Sequence, residues 1–179
     1  MDNSEITVLL IDDHQVVREG LRSALSNFGF TVLGEAASKN EAIAQIAHKS
    51  PKVIVVDLNL PDGSGLEVVS WARSVSSTIG IVVLTLHDDD AHLLGSLQAG
   101  ASAYVLKSAP ITEVIAAVSH SVIAPESFIG RGLSSAILRK KEGFGLTERE
   151  LEVLALLPKG ETSSRIAARA RRSLRTRRA

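Results

Sequence analysis

Five polar side chains fall at or just after the ends of short apolar runs, and no one of them is close in sequence to all the others. Asp12 and Asp13 follow Ile6–Ile11, Asp57 follows Val53–Val56, Thr85 follows Ile81–Leu84, and Lys107 follows Ala103–Leu106. A fold that gathers those run ends places three carboxylates, one hydroxyl and one ammonium at a single edge. Three converging carboxylates repel one another, and ionising all of them is costly unless a cation is present. Oxygen-only ligands on an open edge suit Mg2+, which prefers octahedral geometry and keeps some of its waters. Lys107 supplies a second positive charge. Such a site can neutralise a phosphoryl group carried on one aspartate, or the transition state of its transfer.

Taken singly, each residue has an ordinary reading. Asp12 alone reads as a helix cap, Lys107 as a solvated loop residue, and Thr85 as a buried β-branched residue with its hydroxyl satisfied locally. The agreement of four strand ends argues for the constellation. His14 and His87 read as polar rim residues, because no partner histidine stands at metal-ligand spacing.

The elements that must position these groups are visible as two periods. Ile6–Ile11, Thr31–Gly34, Val53–Val56, Ile81–Leu84 and Ala103–Leu106 are rich in Val, Ile and Leu and do not alternate with polar residues. Such strands are buried on both faces, as in a parallel sheet covered by helices. Between them, Val17, Leu21, Ala24, Leu25 and Phe28 repeat at three and four, as do Leu93, Leu94, Leu97 and Ala101, and Ile111, Val114, Ile115, Val118 and Val122. Ser38 with Glu41 has the spacing of a capping box opening the second helix. Five strands alternating with five helices imply an α/β fold, a five-stranded parallel sheet doubly wound by helices over residues 1–124. Ligands of such sheets bind beyond the carboxyl ends of the strands, which is where the five polar residues fall. Aromatic residues make up only 3% of the chain, so branched aliphatics must fill the core.

Composition bounds the rest. The 179 residues are 45% hydrophobic and 22% charged, ordinary globular chemistry. The absence of cysteine excludes disulfides, thiolate zinc sites and cysteine nucleophiles. No apolar run approaches the roughly 20 residues needed to span a bilayer, and the opening Met1–Glu5 carries no signal-peptide pattern. A soluble, cytoplasmic protein without membrane contact is expected. The formal net charge of zero hides an asymmetry: residues 1–125 hold 7 Lys and Arg against 14 Asp and Glu, whereas residues 126–179 hold 13 against 6. An acidic first part joined to a basic tail suggests two jobs, with nucleic acid a candidate partner of the tail.

The segments VLLIDDH, VVDLNLPDGSGLE, VVLTLHDDD and AYVLKS resemble the receiver domains of two-component response regulators, most closely those of the NarL/FixJ type, over residues 6–124. The resemblance implies a flavodoxin-like receiver with Asp57 as phospho-acceptor, charged by a sensor histidine kinase. It implies that Asp12 and Asp13 form the acid pair holding Mg2+, with Asp13, Asp57 and the backbone carbonyl of Asn59 as direct ligands. Lys107 would ion-pair with the phosphoryl oxygens. Thr85 would move to hydrogen-bond the phosphoryl group, and Tyr104 would rotate inward behind it. A response regulator of this kind is a switch that catalyses only its own phosphorylation and dephosphorylation, with a phosphorylation-dependent homodimer expected. The competing reading is a Mg2+-dependent phosphohydrolase with an aspartyl nucleophile on a similar sheet. Those enzymes carry Asp-x-Asp on strand one, where this chain has Asp12-Asp13-His14. A flavodoxin-like cofactor binder would need a glycine-rich phosphate loop that the sequence lacks.

Pro125 ends the fifth helix, and residues 125–145, with Arg139-Lys140-Lys141 and Gly143-Phe144-Gly145, read as a linker. Thr147 and Glu150 then open a short α-helical segment with Leu151, Leu154 and Leu157 on one face. LTERELEVLALLPKGETSSRIAA resembles the first half of a LuxR-type helix-turn-helix, and residues 146–179 are expected to be a partial form of that module. Pro158 falls where the family keeps a helix former, and RARRSLRTRRA stands where a recognition helix is expected, a break that suggests truncation or a frame change. Arg165, Arg169, Arg171 and Arg172 are the candidate phosphate contacts. Such contacts weaken steeply with salt and position a protein on DNA without specifying sequence.

Overall fold

A computed structural model describes residues 5–144, and their side chains as far as Arg139. In chain order the elements are β1 (Thr7–Ile11), α1 (Gln15–Asn27), β2 (Thr31–Ala36), α2 (Lys39–Lys49), β3 (Val53–Val56), β4 (Asn59–Leu60), β5 (Gly63–Ser64), α3 (Gly65–Val75), β6 (Gly80–Thr85), α4 (Asp90–Ala99), β7 (Ala103–Leu106), α5 (Ile111–Ile123), β8 (Ile129–Gly130) and α6 (Leu133–Phe144). The main sheet is parallel throughout, in the order β2-β1-β3-β6-β7-β8, and β4 with β5 forms a small antiparallel hairpin.

Alternation along each strand sorts the core into two layers. Leu9, Ile11, Ile54, Val56, Ile81 and Val83 face a layer built with α2, α3, α4 and α6. Val8, Leu10, Val53, Val55, Val82 and Leu84 face the opposite layer, built with α1 and α5. Both faces are therefore apolar, which is why the strands read as unbroken Val and Ile runs.

Helix starts follow local chemistry. Ser38 Oγ accepts the Glu41 N–H at 3.2 Å, while the Glu41 carboxylate takes the N–H of Ala37 at 2.8 Å, so the expected box forms with its return bond one residue early. A full box opens α3, where Ser64 caps Leu66 and Glu67 accepts the Ser64 N–H.

The structure differs from the sequence-based expectation after Pro125. Residues 125–145 read as a linker, and five strands were expected. Instead β8 adds a sixth strand, pairing Ala103 with Ile129 and Tyr104 with Gly130. Leu133, Ala136 and Ile137 of α6 join the core beside Phe128, Leu93 and Leu94, and Arg139 makes a two-pronged bond to Asp90 of α4, both contacts at 2.6 Å. Leu133, Ala136 and Ile137 have helical spacing and bury apolar surface, which is a sufficient reason for the segment to pack. The segment read as a partial helix-turn-helix, residues 146–179, with Arg165, Arg169, Arg171 and Arg172, lies outside the described residues.

At the amino edge of the sheet Arg73 of α3 is a structural tie. Its guanidinium donates to the carbonyls of Gly100 (2.9 Å), Ser77 (2.8 Å) and Pro125 (2.9 Å). Ser102 Oγ, which donates to the same Pro125 carbonyl at 2.6 Å, accepts the Ile81 N–H at 3.0 Å.

Candidate phosphoacceptor site

The ladder of the sheet reaches one residue past the strand ends and fixes the site backbone. Asp12 N–H donates to Ala36 (3.1 Å), Asp57 N–H to Ile11 (2.8 Å), and Lys107 N–H to Thr85 (2.7 Å). Parallel strands deliver those three residues to the same edge. The first residue of α3 packs on the backbone just after β3 and must be a glycine: a Cβ on Gly65 would stand 1.9 Å from the Asp57 carbonyl oxygen.

The side chains then converge. Lys107 Nζ bridges Asp12 Oδ2 at 2.6 Å and Asp57 Oδ2 at 2.7 Å. Asp12 and Asp57 are 2% and 3% exposed, so the bridge lies in a region of low polarisability where pairing is obligatory. Burial pulls the Lys107 ammonium down, but the hydrogen bonds and charges of Asp12 and Asp57 outweigh it, and the group is held above its usual range. Asp57 Oδ1 is buried and has no hydrogen-bond partner among the described residues. Asp12 caps no helix: the N-cap of α1 is His14, whose side chain makes no capping bond. The other Asp12 oxygen accepts the His14 N–H at 2.9 Å.

Asp13 is on the open side of the site, 2.6 Å from His14 Nδ1. Asp12, Asp13, His14 and Asp57 each offer a ligand atom within 4.8 Å of the others. An orphaned buried carboxylate oxygen beside two further carboxylates fits a hard divalent cation. Asn59 is on the rim in β4, its side-chain amide 3.2 Å from His87 Nε2.

Thr85 is fully buried and Tyr104 nearly so, and both connect to His87. Thr85 Oγ1 accepts the His87 N–H at 3.2 Å, and the Tyr104 hydroxyl donates to the His87 carbonyl at 2.6 Å. Burial, with Asp89 and Asp88 nearby, pushes the Tyr104 hydroxyl well above its usual range, so it remains a donor. His87 is therefore more than the rim residue that the sequence suggested. Its backbone joins Thr85 to Tyr104, and its ring stacks on His92, five residues away along the chain. Sequence reasoning also missed that β8 and α6 lie against the Tyr104 region: a Cβ on Gly130 would meet Leu93 Cδ1 at 2.9 Å and Tyr104 Cβ at 3.4 Å. The spacing of Leu133, Ala136 and Ile137 was the available signal.

A parallel six-stranded sheet, wound on both faces and carrying an acidic cluster with a lysine bridge at its carboxyl edge, defines the receiver class of signalling domain. Residues 8–119 match the response regulator receiver domain, and the chain belongs to that family, in its NarL/FixJ branch. It is 36% identical to the DNA-binding transcriptional activator DevR/DosR of Mycobacterium tuberculosis over 92% of this chain and 79% of that protein. It is 33% identical to the response regulator protein VraR of Staphylococcus aureus over 96% of this chain and 84% of that one. Among solved structures, a LuxR-family two-component response regulator from Aurantimonas superposes with a TM-score of 0.68 and 31% identity, covering 76% of this chain and 97% of the other. These likenesses support the regulator over the phosphohydrolase. Among the described residues no helix is long and apolar enough to cross a membrane.

Proposed function

We propose that Asp57 is the phospho-acceptor of a phosphorelay and that the chain works as a Mg2+-dependent switch. The observation that carries this reading is the Lys107 bridge between two buried aspartates, one of which keeps an unpartnered buried oxygen. In the transfer, an Asp57 carboxylate oxygen forms a bond to phosphorus as the P–N bond to a kinase phosphohistidine breaks, and the released imidazole takes a proton from solvent. Asp12, Asp13, Asp57 and the Asn59 carbonyl would hold Mg2+, which when bound offsets the charge gathered there. Lys107 follows the phosphoryl oxygens, and the buried Thr85 hydroxyl supplies a hydrogen bond to them. Phosphorylation raises the charge on the Asp57 side chain from one negative to about two and adds acceptor oxygens, enough to bias a two-state element. Thr85, His87 and the inward Tyr104 form that element. Autophosphorylation from small donors and autodephosphorylation are its only catalysis.

The partners in this reading are a sensor histidine kinase, a second copy of the chain, and DNA, by analogy with the DNA-binding activator among its relatives. Arg165, Arg169, Arg171 and Arg172 supply phosphate contacts, and the site of action is the cytoplasm. The reading places residues 1–124, extended by β8 and α6, as the receiver and 146–179 as a partial output module. The test is acyl-phosphate formation with a small phosphodonor and Mg2+. Wild type is expected to label once and Asp57→Asn not at all; normal labelling of Asp57→Asn overturns the assignment.

A further inference from the structure

A second set of metal-type ligands stands outside the acidic edge. His87, Asp89 and His92, at the corner between β6 and α4, each offer a ligand atom within 4.8 Å of the others. The imidazoles of His87 and His92 stack with centroids 3.9 Å apart and planes inclined by 5°. Asp89 is the N-cap of α4, with Oδ1 accepting the His92 N–H at 3.0 Å and Oδ2 lying 2.6 Å from His92 Nδ1. A carboxylate at one nitrogen of an imidazole sets the ring's orientation and leaves the other nitrogen for a metal, an arrangement recurrent around zinc.

Two imidazoles with a carboxylate differ chemically from the all-oxygen acidic edge. Nitrogen donors select borderline divalent ions such as Zn2+ over Mg2+. The amino end of α4 carries a partial positive charge that opposes a cation, but Asp88, Asp89 and Asp90 stand there in succession, and among the described residues Arg139 draws away Asp90 alone. The stacked rings must tilt to converge on one ion. The His92 side chain is 37% exposed, so the surface leaves room for that movement.

We propose that the His87 and His92 rings, with Asp89 orienting His92 and supplying the compensating negative charge, form a second divalent-cation site, for Zn2+-type ions, with water completing the shell. The binding does not depend on the phospho-acceptor reading. Its consequence does: an ion held by the His87 ring fixes the residue whose backbone joins Thr85 to Tyr104, so occupancy would change the phosphorylation response.

The experiment is a calorimetric titration of the full chain with Zn2+ in saturating Mg2+, repeated with Co2+ so that visible absorption reports nitrogen ligation. Wild type is expected to bind one equivalent at this corner. His92→Ala, and His92→Gln as the size-preserving variant, should each weaken binding by at least about tenfold, the lower end of what loss of a metal-supporting group costs. His14→Ala should leave the affinity as it was. Wild-type affinity in both His92 variants overturns the proposal, as does a loss that follows His14→Ala instead.

Discussion

Two partly buried cations stand at opposite edges of the same sheet, and their partners make them different devices. Lys107, at the carboxyl edge, lies between two carboxylates. Arg73, at the amino edge, is met by backbone carbonyls and a serine hydroxyl. Charges around Lys107 hold its ammonium above the usual range, whereas burial lowers Arg73, with only Glu126 acting weakly against it. The partners of Arg73 are neutral and cannot change charge, so the tie is permanent. The partners of Lys107 can bind a cation or gain a phosphoryl group, so its bridge is conditional. A buried charge with ionisable partners marks the site; one with carbonyl partners marks the frame.

Lys107→Met puts the strongest strain on this comparison. It leaves two buried carboxylates uncompensated and is expected to cost about 3 kcal/mol of stability without divalent cation. Mg2+ should recover a good part of that, because it neutralises the same groups. Urea denaturation with and without Mg2+ reads both quantities, and a Mg2+-independent loss would break the distinction between edges. Next in size is Arg73→Met, expected to cost about 2 kcal/mol through orphaned carbonyls. Its deficit should be indifferent to Mg2+, and Asp57 labelling should persist. The smallest effect belongs to Arg139→Ala. Its pair with Asp90 is solvent-exposed and screened, so the unfolding midpoint should scarcely move. A large drop there would mean that α6 is held by charge rather than by Leu133, Ala136 and Ile137.

The carboxyl edge was legible in the sequence because a parallel strand buried on both faces announces its own end. Val53–Val56 runs apolar and stops at Asp57; Ala103–Leu106 stops at Lys107. The amino edge was not legible. Arg73 is a lone arginine within a helix, and nothing local shows that the carbonyls of Gly100 and Pro125 await it. The β8 segment was obscure for a related reason. Ser127–Gly132 has no apolar run, and the need for glycine at 130 arises only from Leu93, Phe128 and Tyr104, which the fold brings there. The His87–His92 stack was hidden likewise, since a separation of five residues matches neither helical nor strand period.

The sixth strand has a consequence for the molecule's behaviour in a crowded solution. Without it, β7 would close the sheet with a row of unpaired backbone donors and acceptors, a template on which a strand from another molecule could add. β8 pairs at only Ile129 and Gly130, and the chain turns at once through Gly132 into α6. A border two residues long offers an incoming chain almost no register to lock onto, so beside Ala103 and Tyr104 the sheet is guarded against edge-to-edge aggregation.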